Sequence, residues 1–371
     1  MDHVEYTRWT TTPSNAGHMS SVTRAVTSAV LPTLSVGFMG KRQCSTTARA
    51  DRLPVMQELV GLAILLLIAL AVLSVLLAAM LVHGATHPPR HTAGYALAHS
   101  LACDPGELDL RFESWTLDRP DGAKLPVWEI ACTKAHGVHA VGFEERGSNR
   151  PPRLTAVFLH GWGRSRIDLL ARIGLWEELC DRLVLYDLRG HGEATGGPSR
   201  LGCDEDADLI ALLGRLGEAR FILVGSSMGG VIAISAAAAD EAVCQRIVGL
   251  IAYGPYLDFH TSLRHRLGAA GLPTRPFTDL AMWWFRLRGL RQHRTLEDAG
   301  QLHCPLLVIR GDEDRISPAH HAEMIVARAP DAVLHTAQGA GHSDVHTVDA
   351  QSHHAAVRAF VDRIALKETQ G

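Results

Sequence analysis

Apolar positions are spread unevenly along the 371 residues. One run, LVGLAILLLIALAVLSVLLAAMLV over 59–82, holds no charge, and its only polar side chain is Ser74. As a helix it would be roughly 36 Å long, enough to cross about 30 Å of hydrocarbon with some tilt. A core helix normally breaks such a run with polar residues, and the apolar part of a signal peptide is shorter. The pattern predicts a transmembrane helix over 59–82, preceded by a disordered tail over 1–58 and followed by a linker over 83–110. Further on, apolar runs of strand length alternate with helix-length segments: LTAVFLH (154–160), RLVLYDL (182–188), RFILVGS (220–226), RIVGLIAY (246–253), PLLVIRG (305–311) and AVLHTAQ (332–338). Strands covered on both faces must be apolar at nearly every position, and strand–helix alternation implies a parallel sheet with right-handed crossovers. Before them, RFESWTL, KLPVWEIA and HAVGFEE, separated by turn signals at 120–122 and 147–152, suggest a small antiparallel lead-in. The fold class is α/β, with the domain over 111–371 and a cap inserted at about 256–303.

Charge adds two things. A formal net charge of −3 and a pI near 6.7 leave no basic excess for nucleic acid. Locally, Lys41, Arg42, Arg49 and Arg52 precede the apolar run, and only Arg90 lies within the next twenty residues. The positive-inside rule then places the N-terminus in the cytoplasm and everything after His83 on the exoplasmic side: periplasm, lumen or exterior. Six of the seven cysteines follow the run, which permits disulfides there in any of fifteen pairings. Cys180, Cys244 and Cys304 adjoin apolar runs and read equally well as buried thiols. No cysteine has metal-ligand spacing, and no metal site is expected.

In a parallel sheet, ligands bind beyond the carboxyl ends of the strands. After RFILV comes Gly225-Ser226-Ser227-Met228-Gly229 and then an alanine-rich helix. A serine at the apex of so sharp a turn needs glycine two before and two after it, since a Cβ at either place would collide with backbone. Ser227 has Gly225 and Gly229; Ser226 would need glycines where Val224 and Met228 stand. A serine is inert without a base. The loop after the last strand offers His342 in GAGHSD, and the loop before it offers Asp312, Glu313 and Asp314 as the orienting acid. After LTAVFL stands His160-Gly161-Trp162-Gly163, where the backbone of Trp162, with that of Met228, is placed to meet a developing oxyanion.

With these elements in this order, the chain resembles the α/β-hydrolase superfamily over roughly 110–366. That resemblance implies a mostly parallel sheet flanked by helices with a short helical cap. YDLRGHG (186–192) matches the superfamily's loop after its next strand, which makes Asp187 and His191 loop structure. The family pattern G-x-x-D followed by proline fits Gly311, Asp314 and Pro318, which favours Asp314 over Asp312. A serine at the elbow argues against the dehalogenase and epoxide-hydrolase branches, which carry Asp there. The single N-terminal span together with HGWG, GSSMGG and GAGHSD is similar to the membrane-anchored serine hydrolases, which implies ester or thioester hydrolysis without naming a substrate. The expected reaction is acyl transfer by Ser227, His342 and Asp314, with no cofactor, on a small-molecule or lipid-like acyl substrate. The cap stretch FTDLAMWWFRLRGLR reads in two ways. Either it is an amphipathic helix packing Trp283, Trp284 and Phe285 over the pocket, or it is a surface meeting lipid headgroups or an anionic acyl donor. Two other functions stay open. A serine aminopeptidase or amidase would need a cap carboxylate (Asp258, Asp279, Glu297 or Asp298) to hold an amine, and a non-catalytic binding protein would be expected to lack a triad member.

Overall fold

A computed structural model describes residues 52–132, 154–217, 219–239, 241–290 and 293–369. The expected strand HAVGFEE, the tail before Arg52 with Lys41, Arg42 and Arg49, and the cap's Arg291 lie outside these residues. The chain divides into Met1–Gly61, described only from Arg52 as the start of a helix, and Leu62–Gly371, which contains everything that follows.

Eight strands form one sheet: β1 (Phe112–Asp118), β2 (Lys124–Ala131), β3 (Thr155–Leu159), β4 (Arg182–Tyr186), β5 (Phe221–Ser226), β6 (Ile247–Tyr253), β7 (Leu306–Gly311) and β8 (Ala332–Ala337). The principal helices are α1 (Arg52–Thr86), α2 (Asp206–Arg215), α3 (Met228–Ala237), α4 (Phe259–Ala269), α5 (Phe277–Leu287), α6 (Thr295–Ala299), α7 (Ala319–Arg328) and α8 (Ala350–Thr369). Strand order is β1-β2-β4-β3-β5-β6-β7-β8. β2 is antiparallel to both β1 and β4, and the remaining neighbours are parallel. The continuous apolarity of the strands has a simple cause. Val157, Leu159, Phe221 and Leu223 face a core shared with α2, α3 and α7, while the alternate residues Ala156, Phe158, Ile222 and Val224 face one shared with α8. The chain leaves β3 for β4 and returns to β5 on the other side of β3. That reversal opens a crevice beyond the ends of β3 and β5, where Leu159 pairs with Gly225.

The apolar helix is longer than the run that predicts it. Residues 56–76 of α1 expose nearly all their apolar side chains, whereas Ala78 and Val82 are each 1% exposed and Ala85 is 6% exposed. Together with Leu201, Ala281 and Phe285 these three form a small core under the cap. Residues 56–86 are long and apolar enough to cross a membrane, but from residue 77 the helix is docked on its own domain. The expected linker over 83–110 contains the end of α1 and a short helix, Ala93–Ala98. It is tied down by Arg90 Nη1 donating to the Ala194 carbonyl (2.7 Å) and by His91 Nδ1 against Asp168 (2.9 Å).

In the cap, Phe285 is buried and packs edge-on against Phe259, but Trp283 is 59% exposed. Successive helical positions lie about 100° apart, so residues 283–285 cannot all cover one pocket. Cys103, Cys180, Cys203, Cys244 and Cys304 are free thiols.

Candidate active site

Ser227 sits between β5 and α3 with φ 52° and ψ −112°. A non-glycine residue held there costs of order 1–3 kcal/mol and persists only where its surroundings fix it. Here the Ser227 amide donates to the Tyr253 carbonyl (2.7 Å). A Cβ on Gly225 would run into the backbone of Gly229 and Gly230, and one on Gly229 into the carbonyls of Leu159 and His160. The two flanking glycines are therefore sterically required. Ser226 is committed elsewhere, since its Oγ accepts from Arg172 Nη1 (2.8 Å).

Asp314 and His342 come together from the loops after β7 and β8, with His342 Nδ1 2.7 Å from Asp314 Oδ2. The other carboxylate oxygen accepts from the amides of Ile316 (2.8 Å) and Ser317 (2.9 Å). Burial pushes the Asp314 carboxyl up, but the hydrogen bond and charge of His342, with the two amides, hold it below its ordinary value. Asp312 and Glu313 are exposed. Gly254, at φ 51°, lets the backbone pass under the pair, because a Cβ there would lie 3.1 Å from the His342 ring and 3.2 Å from Asp314 Oδ2. His342 Nε2 is buried without a hydrogen-bond partner among the described residues. A serine–histidine bond is thus not formed in this conformation, and bonds of this kind often tighten only around substrate.

The loop after β3 is built on a neutral histidine. His160 Nε2 accepts from the Leu188 amide (2.9 Å) and Nδ1 donates to the Gly161 carbonyl (2.9 Å). Burial pulls its pKa down to about 3. Asp187 accepts from the amides of Arg166 and Glu193 and pairs with Arg166 Nη1 at 2.9 Å. It and His191 therefore organise neighbouring loops and do not line the space beside Ser227.

Two cavities meet at Ser227. An apolar one of about 580 Å³ is lined by Trp162, Met228, Leu263, Leu267 and, from α1, Leu81 and Ala85. A smaller polar one of about 190 Å³ contains Ser226, Ser227 and His342 with Arg164, Arg172 and Arg266. Trp162 and Met228 thus flank Ser227 on the apolar side, and Met228 opens α3, where an amide has no partner inside the helix. A recess of about 750 Å³ between α2, α3 and α6 is larger but holds none of these groups.

Comparison with known proteins gives a match to the alpha/beta hydrolase family over residues 156–360, more than half of the chain. The chain belongs to the alpha/beta hydrolase family. An uncharacterized protein of Mycobacterium tuberculosis is 28% identical to this hydrolase over 257 residues, 67% of this chain and 79% of the relative. An uncharacterized protein of Bacillus subtilis is 27% identical over 240 residues, 61% of this chain and 77% of the relative. Among solved structures, an esterase of Pyrococcus furiosus is similar in fold with a TM-score of 0.57 and 20% identity, covering 75% of this chain and 97% of its own. A membrane phospholipase A described as a bacterial virulence factor has a TM-score of 0.51 and 17% identity, covering 84% and 99%.

Two features of the hydrolase's site are invisible to sequence reasoning. Arg172 bridges Ser226 to the Ser343 carbonyl (3.0 Å), joining the elbow to the histidine loop, and burial lowers its pKa. Its partners lie 54 and 171 residues away, so no local pattern marks it. The Trp162 indole donates to the Ala85 carbonyl (2.7 Å), which joins the loop after β3 to the last turn of α1.

Proposed function

We propose that this hydrolase cleaves carboxylic esters or thioesters through an acyl-enzyme on Ser227. In the same reading α1 anchors it in a membrane, with the N-terminus cytoplasmic and the catalytic domain exoplasmic. The observation that carries the catalytic part is a strained, glycine-flanked Ser227 at the meeting point of an apolar cavity and a buried His342–Asp314 pair. Ser227 Oγ attacks the carbonyl carbon while His342 Nε2 takes its proton. The proton is returned to the leaving alcohol or thiol, and water cleaves the acyl-enzyme by the same route. Asp314 holds the histidine in the Nδ1–H tautomer and offsets the imidazolium charge. The amides of Trp162 and Met228 receive the oxyanion, where loss of one donor typically costs about 3–4 kcal/mol of barrier. The steps draw on these side chains and water. The exposed apolar surface of residues 56–76 supports the anchor, because a soluble surface rarely carries so continuous a patch.

An amidase acting on amines is less well supported. Asp258 caps α4 by accepting from the Thr261 amide (2.7 Å), Asp279 pairs with His260 and Arg275, and Glu297 pairs with Arg294. Neither these nor Asp298 line the cavities that meet at Ser227. The test is labelling of the purified chain by a fluorophosphonate. Ser227→Ala is expected to abolish labelling and Ser226→Ala to retain it, and label that survives Ser227→Ala overturns the assignment.

A further inference from the structure

The apolar cavity is not enclosed by the catalytic domain alone. One wall is the end of the membrane helix, through Leu77, Met80, Leu81 and Ala85, and the facing wall is cap, through Leu263 and Phe277. Met80 lines the cavity and is nevertheless 70% exposed, as Leu272 is 54% exposed, so the cavity opens beside α1. The freely exposed part of the helix, residues 56–76, measures roughly 30 Å at about 1.5 Å per residue, matching the hydrocarbon thickness of a bilayer. With residues 56–76 set in the hydrocarbon, as the proposed anchoring has it, the opening would begin where that stretch ends, at the height of the ester groups of the adjoining leaflet. A volume of about 580 Å³ is ample for a long acyl chain, within the roughly 300–1,000 Å³ common for small-ligand sites.

The polar cavity on the other side of Ser227 carries the opposite chemistry. Three guanidinium groups, Arg164, Arg172 and Arg266, line it against one carboxylate, Asp168. Arg164 is paired with that carboxylate at 3.1 Å, and Arg172 is held by Ser226 and Ser343. Arg266 makes no ion pair among the described residues. It lines both cavities and lies over the Trp162 ring, 5.4 Å from its centroid. A guanidinium so placed is a ready partner for a phosphate.

Resting on the serine-hydrolase reading, we propose that the substrate is a membrane glycerophospholipid. Its acyl chain enters from the bilayer along the last turns of α1, and Arg266 receives its phosphate. Attack of Ser227 on the ester carbonyl breaks the acyl–oxygen bond, the lysophospholipid leaves with the proton from His342, and water then releases the fatty acid.

The full chain, reconstituted in vesicles of dioleoyl phosphatidylglycerol with added dioleoylglycerol, tests this by mass spectrometry of the products. Lysophosphatidylglycerol is expected to exceed monooleoylglycerol about tenfold. Arg266→Gln should lower that ratio by about tenfold and Arg266→Lys should restore most of it. Leu81→Trp, which narrows the cavity, should lower phospholipid cleavage relative to p-nitrophenyl acetate cleavage by a similar factor. The proposal is overturned if monooleoylglycerol dominates, if the ratio is indifferent to Arg266→Gln, or if oleoyl coenzyme A supplied in the aqueous phase is cleaved faster than the lipid. A protein that labels with fluorophosphonate and cleaves p-nitrophenyl acetate but leaves the phospholipid intact overturns the substrate alone. One that neither labels nor cleaves overturns the serine-hydrolase reading itself.

Discussion

Ser226 and Ser227 differ in backbone geometry more than in chemistry. One ends a strand and accepts a hydrogen bond from Arg172 at its hydroxyl oxygen, while the other stands at φ 52° on a turn that only glycines two residues before and after it allow. Among the three acids after β7 the distinction is burial. The Asp314 side chain is 1% exposed and faces His342, while Asp312 and Glu313 face solvent. Asp314→Asn removes the acceptor that fixes the histidine's tautomer, and turnover should fall by about 10⁴-fold, the scale of the serine-protease template. Asp312→Asn should stay within a few-fold in the same kcat measurement, and the reverse outcome would move the acid to Asp312. These residues were legible because each stands just past an apolar run, where glycine spacing or chain order marks it. Arg172 and Arg266 were not, since an arginine in a helical or cap segment looks like any solvated one until the fold turns it inward.

At the level of elements, the strands were readable because a strand covered on both faces has no polar position to blur its limits. The same uniformity hid the structure of α1. The stripe of Ala78, Val82 and Ala85 that docks under the cap has helical spacing, but every neighbouring position is apolar too, so no periodicity betrays it. The proposed orientation of α1 rests on the charges that flank it in the sequence. A reporter that works only outside the cytoplasm, fused after Gly371, should be active, and moving Arg49 and Arg52 to the far side of the helix should weaken or invert that result. Protease added to intact cells should digest the catalytic domain. Protection that is lost only on permeabilisation would reverse the topology.

At the scale of the whole molecule, the buried histidines predict an acid sensitivity. His160, His191, His321 and His353 are buried, and burial lowers them to about 3 for the first and about 4 for the others. Above about pH 7.5 these rings are neutral in both folded and unfolded chains, so their stabilisation is complete there. As pH falls toward 4 the unfolded chain takes up protons that the fold refuses, and stability drops by up to about 1.4 kcal/mol per group for each pH unit. Asp187, raised to about 6 by burial, and Glu205, raised to about 7, pull the opposite way over this range, but they are two against four. Thermal melts from pH 7.5 to 4.5 should show a steady loss of Tm below pH 6.5, with a shallower slope for His160→Gln. A Tm unchanged between pH 7 and 5 would contradict this. The bond between Trp162 and Ala85 has a mechanical consequence. Under the proposed anchoring, an apolar stretch some 30 Å long can answer a bilayer thinned by a few ångströms by tilting, and α1 is fastened to the loop proposed to receive the oxyanion. Membrane thickness would then act as a control variable of the reaction, felt at that loop without any soluble effector.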